Sequence, residues 1–146
     1  MLRRHPVLAP LTVGYLAIVG WITLGPQPLD DRGVGLLRAV LGILARHDLT
    51  SWITYDVVES AANVAMFVPI GLLFLLLLGR TSWWLALLAG VALTCAIEFT
   101  QLFLPGRYSD PRDIVMNSLG ALVGIGIGLL LTLATGRTGA RDRGAA

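Results

Sequence analysis

Residues 97–124 read IEFTQLFLPGRYSDPRDIVMNSLGALVG, and the fold turns on how they are parsed. An apolar helix ends, Pro105, Gly106 and Pro111 break the chain, and a second apolar helix begins. Into that turn and the adjoining helix ends the sequence packs Glu98, Gln101, Arg107, Asp110, Arg112, Asp113 and Asn117. The apolar runs elsewhere carry almost no ionisable groups.

Outward from this stretch the composition is that of an integral membrane protein. Of 146 residues, 55% are hydrophobic and only 14% charged, outside the range of soluble domains. The net charge of +2 comes from arginines alone, scattered over termini and loops, so no nucleic-acid-binding stripe is present. The single cysteine, Cys95, rules out an internal disulfide and reads as a small packing residue.

A bilayer core of about 30 Å takes roughly 20 apolar helical residues. Four runs approach that length: Val7 to Leu24, Ala61 to Gly79, Trp83 to Leu104 and Ile114 to Thr135. The amino terminus has the basic start and apolar run of a secretory signal, but no small-x-small cleavage site precedes PQP, so it reads as a retained first membrane helix. Arg80, Thr81 and Ser82 leave room only for a tight antiparallel turn between the second and third runs. The expectation is an all-α membrane protein, a four-helix antiparallel bundle over residues 1–136. The tail, 137–146, is small, polar and basic, and is expected to be a disordered cytoplasmic end. Between the first two runs, GVGLLRAVLGILARHD sets Leu36, Leu37, Val40, Leu41 and Leu44 along one helical face. Too short to span, it fits an interfacial helix or a cap over the bundle mouth.

Arg3, Arg4, Arg80, Arg137, Arg141 and Arg143 share one side of this topology, nearly free of acids, which puts both termini in the cytoplasm. Trp21, Trp52, Tyr55 and Tyr108 would then belt the outer interface, with Trp83 and Trp84 at the inner one.

Helical spacing brings the polar residues to similar depth near the outer side. Asp56, Glu59, Ser60 and Asn63 follow steps of three and four on one face, and Glu98 and Gln101 share another. Asp113, Asn117, Ala121, Gly124 and Gly128 form a stripe on the fourth helix, matched by Ala86, Gly90 and Thr94 leading up to Glu98 on the third. Small residues let membrane helices approach closely. The two stripes are therefore expected to pack together and bring Glu98 to Asn117 and Asp113. An ionised carboxylate inside the slab costs at least roughly 2–3 kcal/mol, so Glu98 should be paired, protonated or facing water. Arg107 is its nearest candidate partner and Arg112 the second. The surplus of acids over arginines suits a cation or an amine-bearing head group. Pro69 and Gly71 should kink the second helix, as a hinge, a cavity wall or a static bend. Gly120, Gly124 and Gly128 form a ridge that serves helix packing or a face for a second copy.

The motifs NVAMFVPIG (Asn63 to Gly71), IEFTQ (Ile97 to Gln101) and GRYSDPRDIVMNSLG (Gly106 to Gly120), in this order and spacing, resemble the VanZ-like family of small bacterial membrane proteins. The match runs from Asp56 to about Gly124. Asn63, Phe67, Pro69, Gly71, Glu98, Gln101, Arg107, Asp110, Asp113, Asn117 and Gly120 are the positions that fit the family motif. The resemblance implies a multi-pass protein of the bacterial cytoplasmic membrane, in a family whose namesake is linked to low-level resistance to the glycopeptide teicoplanin.

Three functions fit these residues. The first is a non-catalytic protein that binds a lipid or an amphipathic cell-envelope molecule in an outer-leaflet pocket of Asn63, Glu98, Gln101, Arg107, Asp110, Asp113 and Asn117. The second is a membrane enzyme using Glu98 or Asp113 as acid or base. Against it, His5 and His47 lie outside the matched region, and no serine or cysteine nucleophile with a base is recognisable. The third is a small proton-coupled transporter or an assembly partner. No cofactor is expected, and Glu98, Asp110 and Asp113 would make only an unspecific hard-cation set.

Overall fold

The computed structural model describes residues 6–25 and 31–142, and every regular element among them is a helix. In order these are α1 (Leu8–Leu24), α2 (Asp31–Leu44), α3 (Tyr55–Leu78), α4 (Trp83–Gln101) and α5 (Pro111–Asp142), with a 3₁₀ turn at Arg80–Ser82. Arg3, Arg4 and Arg143 of the charge pattern, and residues 143–146 of the tail, lie outside the described residues, as do the side chains of Arg137 and Arg141. The helix of α5 continues past Thr135 to Asp142.

Three segments are long and apolar enough to cross a bilayer: Tyr55–Leu78, Arg80–Gln101 and Pro111–Leu133. At 17 residues, α1 rises about 26 Å, less than the hydrocarbon thickness of about 30 Å. The expected count of four crossings is therefore not confirmed. Large apolar side chains such as Leu11, Ile18, Leu88, Phe99, Val115 and Leu130 face outward, as a lipid-facing surface requires.

Local signals explain the boundaries. Thr54 caps α3 by accepting from the Val57 N–H, and Asp56 in the first turn complements the helix dipole. Gly79 ends α3 at φ +89°, a left-handed position that favours glycine, and this allows the tight return into α4. Gly106 plays the same part in the α4–α5 turn at φ +78°. Asp110 Oδ1 accepts from the Arg112 N–H at 2.8 Å and so caps α5, with Pro111 at the first helical position where no N–H is needed.

The closest packing is between α3 and α5. A Cβ on Gly120 or Gly124 would run into the carbonyl oxygens of Val64 or Val68, and one on Gly71 into that of Ala121. Gly128 lies against the Leu72 and Leu75 side chains. This corrects one half of the pairing read from the sequence, Gly124 and Gly128, and leaves the other half, Asn117 and Ala121 against the α4 stripe, as expected. Gly120 and Ala121 are consecutive, hence about 100° apart around the helix, so the glycine ridge meets α3 while Asn117 and Ala121 meet α4 at Thr94 and Gly90. The ridge is thus covered within the chain. Phe67, Ile70, Val19, Ile97 and Ala121 form the main core, and Leu75, Ala86 and Ile125 a second one further along.

The helix of α3 is continuous across Pro69. Proline has no N–H for the Ala65 carbonyl, and its ring crowds the preceding turn. In that turn the Met66 carbonyl accepts the Tyr15 hydroxyl at 2.8 Å, which ties α1 to α3. Thr12 and Thr23, on the buried face of α1, return their hydroxyls to the Leu8 and Val19 carbonyls, so neither is left unsatisfied in an apolar setting. Cys95 lies on the exposed side of α4 and is not a packing residue.

Candidate functional site

At one end of the bundle, where α1 and α4 finish and α3 and α5 begin, the helices splay around a cleft of about 460 Å³. Its polar wall consists of Thr23, Glu59, Asn63, Gln101, Arg107 and Asp113; Leu37 of α2 and Tyr55 belong to its apolar side. Trp21, Trp52, Tyr55 and Tyr108 are all exposed around this end, while Trp83 and Trp84 are exposed at the other. That is the distribution of a membrane protein's two aromatic belts.

The loop before α5 and the end of α1 are held by side chains that reach backbone groups. Arg107 Nη2 donates to the Ile22 and Gly25 carbonyls at 2.9 and 2.6 Å, capping the C-terminus of α1. The last carbonyls of a helix lack intrahelical donors and carry partial negative charge, so a guanidinium is well placed there. Gln101, only 8% exposed, donates from Nε2 to the Thr23 carbonyl at 3.0 Å. With Tyr15, these contacts dock α1 onto the bundle.

Glu98 is 4% exposed, yet it does not line the cleft. Its Oε2 accepts from Ser109 Oγ at 2.9 Å and from the Asp110 N–H at 3.0 Å. The expected pairing with Arg107, with Asp113 and with Asn117 is replaced by this loop staple. The reason is that two donors of the turn lie directly above the carboxylate, while Arg107 is taken by the end of α1. Asn117, 2% exposed, donates instead to Thr94 Oγ1 at 2.9 Å, one helical turn below Glu98. Arg112 reaches Asp56 at 3.8 Å, both exposed, a contact between the first turns of α5 and α3. Among the described residues no three His, Cys, Asp or Glu side chains converge as a metal-ligand set, so Glu98, Asp110 and Asp113 do not form the hard-cation site considered from sequence.

Of the residues expected to cluster, the structure brings Asn63, Gln101, Arg107 and Asp113 to one cleft and leaves Glu98, Asp110 and Asn117 behind its wall. Glu59 and Thr23 join the cleft. Glu59 stands four residues before Asn63, so the face was readable, whereas the Thr23 carbonyl that holds Gln101 is a backbone group that residue type does not reveal. Ser109 was missed, and Thr94 was read only as a small packing residue, because a hydroxyl in an apolar chain signals nothing until its partner is known.

The cleft is only partly satisfied. Glu59 lies in the field of the Asp113, Asp56 and Asp110 carboxylates. Asn63 is turned toward Asp113, yet its Nδ2 is buried without a partner at hydrogen-bonding distance. The Gln101 amide is oriented by its bond to Thr23, and its Oε1 is buried and unpaired. Buried polar groups are nearly always satisfied, so these two atoms and, behind the cleft wall, Asn117 Oδ1 are exceptions among the described residues.

Membrane-length apolar helices, a polar cleft at one end and outward-facing aromatic residues define a helical multi-pass membrane protein. Within that class the chain belongs to the VanZ/LLP1 family, whose model matches residues 12–132. No curated protein and no solved structure matches it.

Proposed function

We propose that the chain is a binding protein for a lipid or another amphipathic cell-envelope molecule, whose head group enters the cleft between α1, α3, α4 and α5. The supporting observation is a cleft lined by Glu59, Asn63, Gln101, Arg107 and Asp113 at the interface end of membrane-length helices. A head group would meet these polar side chains while its tails lie against the exposed apolar side chains outside. With the termini in the cytoplasm, the cleft faces the outer leaflet. A lipid-anchored antibiotic belongs to the same ligand class, which would connect the site to glycopeptide resistance.

Native mass spectrometry of the protein extracted with its lipids tests this. The wild-type protein should carry a bound amphiphile that Asn63→Leu loses. Equal retention by the variant would contradict the reading.

A further inference from the structure

One side chain of the cleft comes from outside the bundle. Leu37 lines it from α2, yet among the described residues α2 packs along none of the other helices. An isolated helix of 14 residues is marginal in water, so α2 needs a surface to lie on. Leu37, Leu41 and Leu44 are half-buried, whereas Leu36, Val40 and Ile43, one position before each, are 69%, 44% and 59% exposed. At 100° per residue the exposed three fall within about 60° of one another, with Arg38 on the far side of the helix and Arg46 at the flank of the stripe. The apolar face of α2 is thus wider than the bundle covers.

We propose that α2 is a lipid-docking surface: Leu36, Val40 and Ile43 enter the boundary between head groups and acyl chains in the leaflet at the cleft end, and Arg38 stays at the level of the phosphates. Amphipathic helices with a basic polar face bind that boundary. Three observations favour lipid over a protein partner. The cleft end already carries the exposed aromatic side chains of a membrane interface, Trp21, Tyr55 and Tyr108. The turn after α2 pairs its own polar groups: Thr50 Oγ1 donates to the Leu44 carbonyl at 2.7 Å, and Trp52 Nε1 to the Leu49 carbonyl at 3.0 Å. The exposed Leu49 and Trp52 side chains therefore bring no stranded indole N–H into an apolar medium. Finally, the guanidinium groups of Arg38 and Arg46 suit lipid phosphates. This surface lies beside the cleft and does not depend on what the cleft binds.

Nitroxide labels on the full-length protein, in nanodiscs of phosphatidylcholine and phosphatidylglycerol, test this. Each label is carried by Leu36→Cys, Val40→Cys or Arg38→Cys in a Cys95→Ser background, with Leu88→Cys on the exposed side of α4 as the reference. Oxygen concentrates in hydrocarbon, whereas a nickel chelate stays in water. The labels at Leu36 and Val40 should lose nickel broadening and gain oxygen broadening, as at Leu88, while the label at Arg38 shows the reverse ratio. Nickel access at Leu36 and Val40 places the stripe in water and overturns the proposal. Protection of both sites from both reagents means that protein, such as a second copy of the chain, covers the stripe, and overturns it too. Oxygen access without nickel access at Arg38 as well sinks the whole helix into hydrocarbon, which contradicts a surface helix.

Discussion

The α3–α5 seam and the cleft end are built from the same helices under opposite rules. Along the seam, Gly71, Gly120 and Gly124 bring backbone against backbone, and no space is left even for a methyl group. At the cleft end, a few residues away, the same helices border a cavity lined by Glu59, Asn63 and Asp113. In lipid, helices gain nothing from burying apolar surface against each other, so tight van der Waals contact must hold them together. Glu98, Gln101 and Arg107 lie at the boundary, where side chains bind backbone groups and hold the loop and α1 in position.

Breaking the seam should have the largest effect. Gly124→Val places a branched side chain where the Val68 carbonyl sits, and because backbone cannot swing aside, the loss should reach about 3 kcal/mol, the top of the usual overpacking range. Thermal unfolding in detergent reads this, and a wild-type melting temperature would show that the seam yields. Glu98→Leu comes next. It strands the Ser109 hydroxyl and the Asp110 N–H, at a cost of about 1–3 kcal/mol. Hydrogen exchange should accelerate around residues 107–112 and not in α3. Arg107→Met removes the cap of α1 and should cost about 1–2 kcal/mol, since hydrogen bonds from a charged donor are worth up to about 3 kcal/mol and this one is half-exposed. Its signature is faster exchange in α1 alone. Smallest of all is Arg112→Ala: the 3.8 Å pair with Asp56 is open to solvent and should change stability by less than about 1 kcal/mol.

The same contrast explains what the sequence could reveal. Helix ends were legible because prolines, glycines and charges punctuate apolar runs, and the crowding of Asn63, Gln101, Arg107 and Asp113 at one end followed from helical counting. The partner of the glycine ridge was not legible. Both α3 and α4 present small residues, Gly71 on one and Ala86 and Gly90 on the other, and only the 100° step from Gly120 to Ala121 separates the two faces. Nor was the role of Glu98 legible. A buried carboxylate in a membrane helix suggests ligand chemistry, but here backbone and hydroxyl donors of the following loop take it up. Arg107 likewise found backbone carbonyls, partners that carry no letter in a sequence.

Photo-crosslinking with a phospholipid that carries a diazirine beside its head group tests most directly whether the cleft, and not Glu98 or the outer surface, receives an amphiphile. Labelled peptides should map to residues 55–63 and 101–113 around the cleft mouth, and labelling should fall in Asn63→Leu. Labelling spread evenly over the exposed faces of α3, α4 and α5, and unchanged in that variant, would contradict the account.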